Sequence, residues 1–306
     1  MAKPPASVMG VDLGRYALKS VLLHRKGDRV AVTHYASRPI ASPLETADDL
    51  TRELKELFKE MGSTAKSCAV AISSPDALIR IIEQPDTPTH MLREALRLNS
   101  VTLLNHDCRD FVLDCDRIAP SDDAVANAPS GLRRFHYLVG GVPRTEVNQV
   151  AQVFQRAGMR ATTLQLAPIC VFNAFEFAFP EIFKTQAFFI VDIGHTSSTM
   201  MVGAKGELVL VRSIDFGGRL LLETLMARSG EPLASVLTAL EQEDEMMLEN
   251  MRMAVSVLVR EVGSSIGFFE GRREETITRI HVSGAPAKAP ALLKVLKEEL
   301  HMPCEP

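Results

Sequence analysis

A strand–turn–strand–hairpin–strand pattern occurs twice in this chain, and it constrains the fold more than any other feature. The first copy runs through Val8-Met-Gly-Val-Asp-Leu-Gly14, Lys19-Ser-Val-Leu-Leu-His24, Lys26-Gly-Asp28 and Arg29-Val-Ala-Val32. The second runs through Phe189-Ile-Val-Asp-Ile-Gly194, Ser198-Thr-Met-Met-Val202, Lys205-Gly-Glu207 and Leu208-Val-Leu-Val211. In each, an apolar strand ends in Asp-apolar-Gly, a polar turn leads to a second strand, and a Gly-containing hairpin leads to a third. A single Asp-x-Gly is usually just a strand-ending turn. The same order at matching points of two halves predicts a duplicated α/β architecture, and 306 residues suffice for two domains.

The segments around the copies supply helices. Residues 48–61 place Leu50, Leu54, Leu57 and Phe58 on one helical face, with Gly62 as the stop. Strands follow at 68–72 and 78–82, then Pro85 and Pro88 punctuate the chain. A helix at 89–104, strands at 111–118 and 135–139 and a helix at 143–157 read as a compact insertion, with residues 119–131 as a loop. A return strand at 160–166 and a helix at 168–177 lead to the second copy. After it come a helix opened by Gly217-Gly218, a long helix at 245–269, a strand at 277–282, a turn at 283–286 and a helix at 290–300. Another strand is expected where the chain stops. In the long helix, Met247, Met251, Val255, Leu258, Val262, Ile266 and Phe269 form one stripe, which reads as core; the acidic run Glu241, Glu243, Asp244 and Glu245 reads as a solvated face.

The two turns carry the chemistry. Glycine after a strand lets main chain approach a phosphate closely, and inward-pointing turn amides bind anionic oxygens. Carboxylates at Asp12 and Asp192 would repel phosphate unless a divalent cation lay between; Mg²⁺, which keeps several waters and uses few carboxylates, fits that need. Lys19 lies where an ammonium could reach a β- or γ-phosphate. His195, Thr196, Ser197, Ser198 and Thr199 supply donors to the second turn. The duplication thus predicts a nucleotide clamp with Asp12 and Asp192 facing one cleft. No catalytic residue is assigned, Asp192 being the candidate for positioning water or Mg²⁺. His106, Cys108, Asp110, Asp114 and Cys115 could suggest a metal site, but the acids alternate with Phe111, Leu113 and Cys115 as in a half-exposed strand.

Composition narrows the partners. Lys and Arg number 34 against 38 Asp and Glu, for a net charge of −4, so no general nucleic-acid-binding surface is expected and any basic patch must be local. Five dispersed cysteines without a CxxC pair read as reduced thiols of a cytosolic protein. The N-terminal residues lack the apolar core of a signal peptide, and no stretch approaches the ~20 apolar residues of a spanning helix.

These residues resemble the actin/Hsp70/sugar-kinase superfamily, and within its FtsA-like subgroup the PilM family of type IV pilus assembly proteins. Met9–Gly14 with Lys19 resembles the first phosphate motif of that family and Val191–Thr199 the second; Met91–Leu96 and Val112–Asp114 resemble the start of its inserted subdomain, and Phe154–Met159 the helix end that closes it. Arg212–Gly218 and Leu258–Val262 resemble two further segments, and Ile280–Pro286 sits where the adenosine turn lies. The resemblance implies an α/β, actin-like (ribonuclease H-like) two-lobed fold with a nucleotide cleft. It divides the chain into 1–185, with an FtsA/PilM-type insertion at about 88–158, and 186–306, with a helical subdomain at about 216–275.

It further implies ATP or ADP with Mg²⁺ as ligands, held by Asp12, Gly14, Lys19, Asp192, Gly194, Thr196, Ser197, Ser198, Gly217, Gly218, Ser283, Gly284 and Ala285. Asp12 and Asp192 would act on Mg²⁺ through water. The implied function is a cytoplasmic scaffold of a pilus or related secretion machine. It would recruit the cytoplasmic tail of a PilN-like membrane protein and so sit at the inner membrane without inserting into it; self-association is left open. Two departures matter: Ala285 replaces the second glycine of the adenosine turn, and Ala167 stands where relatives often carry an acid before proline. Both imply slow turnover at most, and leave a nucleotide-free pseudo-ATPase scaffold or a GspL-like secretion component as alternatives. A sugar or acetate kinase would need an acceptor base that the sequence does not show.

Overall fold

A computed structural model of the chain describes residues 7–27, 29–40, 44, 46–118, 134–242 and 245–306. The expected loop at 119–131 and the acids Glu243 and Asp244 lie outside the described residues. The elements in chain order are β1 (Ser7–Leu13), β2 (Ala17–Lys26), β3 (Arg29–Pro39), α1 (Ala47–Met61), β4 (Ser67–Ile72), β5 (Leu78–Pro85), α2 (Thr89–Leu104), β6 (Phe111–Arg117), β7 (Arg134–Pro143), α3 (Arg144–Arg156) and β8 (Arg160–Leu166). There follow α4 (Ala167–Ala178), α5 (Pro180–Thr185), β9 (Ala187–Ile193), β10 (Ser198–Ala204), β11 (Glu207–Ile214), α6 (Gly218–Ser229), α7 (Leu233–Gln242), α8 (Glu245–Glu270), β12 (Ile280–Ser283), a 3₁₀ turn at Ala285–Lys288, α9 (Pro290–Leu300) and β13 (Cys304–Glu305).

The duplication is visible as two sheets of one topology. The first has the order β3-β2-β1-β4-β8 and the second β11-β10-β9-β12-β13. In both, the first three strands in sequence are antiparallel and the last two run parallel to the central one. The parallel pairs need crossovers, which α1 and α3 supply in one half and the helices after β11 in the other. β13 is the strand expected at the chain's end; it pairs with β12 over two residues. β12 itself starts later than expected, at Ile280. Ile277 is buried, and its N–H donates to Glu270 Oε1 at 2.9 Å, so this stretch fastens the end of α8 instead of joining the sheet.

By contacts the chain forms two compact units, residues 1–80, 88–116 and 139–170, and residues 81–87, 117–138 and 171–306. The core of the first is built on Val11, Leu18, Val70 and Ile72 from the sheet, Leu54 and Leu57 from α1, and Val153 and Phe154 from α3. The helix expected to close the insertion therefore shares its core with α1. Thr46 opens α1 with a capping box to Asp49, and the Gly62 N–H closes it on Lys59 O at 3.1 Å. A third sheet, β5-β7-β6, recruits β5 from before the expected start of the insertion. The core of the second unit contains the predicted stripe of α8, with Met247, Met251, Val255, Leu258, Val262 and Phe269 all buried in a cluster shared with strands β9, β10 and β12.

Also within the second unit, β7 is joined to β11 by an ionic triad. Glu207, buried at the start of β11, accepts from His136 Nδ1 at 2.6 Å and from Arg273 Nη2 at 2.7 Å. Burial pushes the Glu207 carboxyl upward, but the bonds from His136 and Arg273 outweigh it and hold the group below its usual range. The bond to Glu207 raises His136 above the ordinary imidazole value of 6.5, against the opposing effect of burial. A raised folded-state value means that the imidazolium's contribution is complete below about pH 6.5 and is lost as pH rises through the higher folded value. The depressed Glu207 contributes above its unfolded value of 4.5 and loses that contribution as pH falls through the lower folded one. Denaturant unfolding of His136→Gln should therefore show its largest deficit against the native chain near about pH 6, shrinking toward about pH 9. A deficit independent of pH would assign the loss to packing alone.

Candidate functional site

In the first unit, β1 ends in Asp12-Leu13 and the chain reverses through Gly14-Arg15-Tyr16 into β2. The turn is tight: a Cβ at Gly14 would stand 2.6 Å from the carbonyl oxygen of Ala17. Asp12 and Lys19 are register partners across the hairpin, and Lys19 Nζ lies 3.2 Å from Asp12 Oδ2. The two side chains assigned to metal and phosphate thus hold each other, half-exposed, in a pair that a polyphosphate could reorganise at little cost. Buried Ser20 donates to Gly10 O at 3.0 Å and fixes the strands behind the turn. Gln165, which the sequence reading passed over, falls in the same cross-strand row as Asp12 through Ala71. Its Oε1 accepts from Cys170 Sγ at 3.5 Å. Burial, and then the Asp12 charge, push the Cys170 thiol up and keep it protonated.

In the second unit, three segments far apart in sequence converge on the turn after β9. The Gly194 N–H donates to Ser197 O at 3.0 Å and shapes the turn. The carbonyls of Gly194 and His195 then accept the Gly218 and Arg219 N–H groups at 2.8 and 2.9 Å, so the turn caps the N-terminus of α6. Gly217 lies so close that a Cβ there would meet His195 O at 2.5 Å. From the other side comes β12, in which Ser283 is the register partner of Asp192. Gly284 follows at φ +96°, where a Cβ would stand 2.0 Å from Ile193 O. That position requires glycine for its dihedral and for its space alike.

The structure refines the expected roles. Thr196 and Ser283 are partly exposed, and Ser197 and Ala285 exposed. Ser198 is different: it is fully buried, and its hydroxyl donates to Phe216 O at 2.6 Å. The proton expected to serve a phosphate instead ties the turn to Gly217-Gly218. Among the described residues no group of three or more His, Cys, Asp or Glu side chains is placed to hold a metal ion, and no helix is long and apolar enough to cross a membrane.

The model of the family described as type IV pilus assembly protein PilM matches residues 10–305. The chain belongs to the PilM family. Among solved structures, the PilM-PilN type IV pilus biogenesis complex contains a chain 22% identical to this PilM-family member, with a TM-score of 0.81 over 99% of this chain and 88% of that one. The ethanolamine utilization protein EutJ from Carboxydothermus hydrogenoformans is 16% identical, with a TM-score of 0.55 over 99% and 85% of the two chains. A protein with an actin-like ATPase fold and unknown function from Bacteroides thetaiotaomicron is 10% identical, with a TM-score of 0.52 over 98% and 91%. The expected actin-like fold is thereby established for this PilM-family chain.

Gly284→Ala should lower the unfolding free energy by about 1–3 kcal/mol, because it adds both a disfavoured dihedral and a clash with main chain. Ala285→Gly, at an exposed position that needs no left-handed backbone, should stay near the native value. Guanidinium unfolding of the two variants provides the measurement, and equal stability would overturn the account of this turn.

Proposed function

We propose that this pilus-assembly protein binds ATP with Mg²⁺ and acts as a nucleotide-responsive adaptor for the cytoplasmic tail of a PilN-like membrane protein. The observation carrying the nucleotide half is the close convergence of main chain at Gly194, Gly217 and Gly284, where no side chain fits and backbone groups are left to meet a phosphate. Gly217, Gly218, Ser283, Gly284 and Ala285 would flank the adenosine; Gly14, Lys19, Gly194, Thr196 and Ser197 would hold phosphate, with Ser198 acting through the turn it fastens. Asp12 and Asp192 would hold Mg²⁺ through its waters, and the cation would neutralise phosphate charge. The reading takes 1–185 and 186–306 as the two domains, on the strength of the duplicated sheets. Without an acid at 167, turnover is expected to be slow.

For the tail, support comes from the first unit. A concave surface of about 470 Å³ is lined by Pro75, Leu78, Arg80, His106, Phe111 and Pro143. Apolar side chains form its body and Asp76, Arg80 and His106 its polar part, which suits an extended segment with one or two apolar anchors. The partner would hold the protein at the cytoplasmic face of the inner membrane. Nucleotide would alter tail affinity only through differential binding to two conformations. A nucleotide-free scaffold is the second reading, favoured by the Cβ of Ala285 and by Ala167.

Titration calorimetry with ATP and Mg²⁺ decides between them. Lys19→Ala should weaken ATP binding by about 1.5–3 kcal/mol, the worth of a charged hydrogen bond, and Asp192→Ala should weaken mainly the Mg²⁺-dependent part. No binding by the native chain would establish the scaffold reading. In a separate titration with a PilN-type tail peptide, Phe111→Ala should reduce affinity about tenfold or more and leave ATP affinity unchanged. Undiminished tail binding would move the partner site elsewhere.

A further inference from the structure

The sheet of the first unit has two faces of different character. Met9, Val11, Leu18, Ser20, Leu22 and Ala36 point into the core. On the opposite face the register aligns side chains in rows across β1, β2 and β3. Val8, Leu23 and Val32 form one row, Gly10, Val21 and Tyr35 the next, and Arg25 with Val30 a third toward the hairpin tip. Val32 and Tyr35 are 62% and 61% exposed, Val8 and Val30 41% and 40%. Contiguous apolar rows open to solvent mark an interaction surface.

The charge around these rows is predominantly positive, although Lys19 is paired with Asp12 and Arg38 with Glu53 and Glu60. Residues 7–40 contain six Lys and Arg against two Asp and Glu, in a chain of net charge −4. Arg25 lies on the open face; Lys26 and Arg29, also exposed, are register partners at the hairpin tip in a row of the opposite face, and at the other end Arg15 is exposed while Lys19 is paired with Asp12. We propose that this face is a docking surface for an anionic lipid bilayer, with Val8, Val30, Val32 and Tyr35 entering the interfacial region, Arg25 lying over the headgroups, and Lys26 and Arg29 adding positive charge at the hairpin tip.

Three features favour lipid over a protein occupant. The face is a continuous patch of short aliphatic side chains and one tyrosine, which suits a fluid interface better than an anchor-and-pocket contact. Its rim is cationic, and each Lys or Arg near an anionic surface strengthens adsorption roughly fivefold. Pairing of two copies through β3 is hindered by the irregularity between Leu22 and Leu23, opposite which Thr33 is left out of register, a device that bends an edge away from a neighbour. Such adsorption is weak alone; stable residence at a membrane takes a second signal, and a tail partner would supply it. The inference does not depend on that partner.

Co-sedimentation with vesicles tests it, using phosphatidylcholine alone and phosphatidylcholine with about one third phosphatidylglycerol. The native chain should pellet with the anionic vesicles at low salt, and binding should collapse in about 0.5 M salt, where charges are screened within a few ångströms. Arg25→Glu should weaken binding at least fivefold and the pair Val32→Glu with Tyr35→Glu at least tenfold. The unfolding midpoint serves as the check on folding, and Val32→Ser with Tyr35→Ser as the milder pair. Titration with the tail peptide should be unchanged in all variants, which separates this surface from the concave one. A native chain that stays in the supernatant with anionic vesicles, or variants that pellet like it, would overturn the proposal. So would light scattering that shows a native dimer split by Tyr35→Glu, which would make the face a contact between copies.

Discussion

Main chain touches main chain at the centre of the second half, and the rest of that half is arranged around the contact. Gly284 passes over the carbonyl of Ile193 while Gly217 passes over that of His195. Any side chain at either place would drive apart β9, the start of α6 and the end of β12. Because the resulting surface is made of backbone, its donors and acceptors are positioned by strands and turns rather than by rotamers. A ligand meeting it would find groups whose ordering entropy was lost on folding.

The two halves use one sheet topology for different surroundings. In the first, α1 and α3 cover the inner face, and the antiparallel strands leave the other face open to solvent. In the second, the helices after β11 and α9 cover one face while Phe175 of α4 and Phe183 of α5 pack on the other against Phe188, Ile190, Met201 and Leu208, so every residue of β10 is buried. The turns have diverged as well. The Asp12 turn is closed by an ion pair with Lys19, and the Gly194 turn by capping a helix. Identical topology therefore gives one turn closed by side chains and one closed by main chain.

Much of this was legible in the sequence, because strand periodicity and Asp-x-Gly turns are local signals that survive duplication. Helix α8 was legible for the same reason: its stripe repeats at the helical period. What escaped depends on distant groups. The engagement of Ser198 follows from the position of the Phe216 carbonyl, 18 residues away. The row containing Gln165 follows from parallel pairing of β4 with β8. The membership of β5 in the third sheet could not be inferred from an apolar run that fits several pairings. The kink at Asn99 within α2 (φ −131°, ψ 36°) also carries no local signal beyond a residue of modest helix propensity. The open face of the first sheet was hidden because Val8-Met9-Gly10-Val11 and Val21-Leu22-Leu23 are continuous apolar runs, which read as strands covered on both sides.

The path of the chain has a consequence for inheritance and engineering. It passes from one compact unit to the other after Arg80, Thr87, Asp116, Leu138 and Cys170. No single scission of the polypeptide releases either unit intact, and no contiguous fragment encodes one. Neither contact unit can be exchanged by simple recombination, as a terminal domain can. Changes in one unit must be accommodated by a chain that repeatedly re-enters the other, and viable variation should accumulate residue by residue rather than by the shuffling of whole modules.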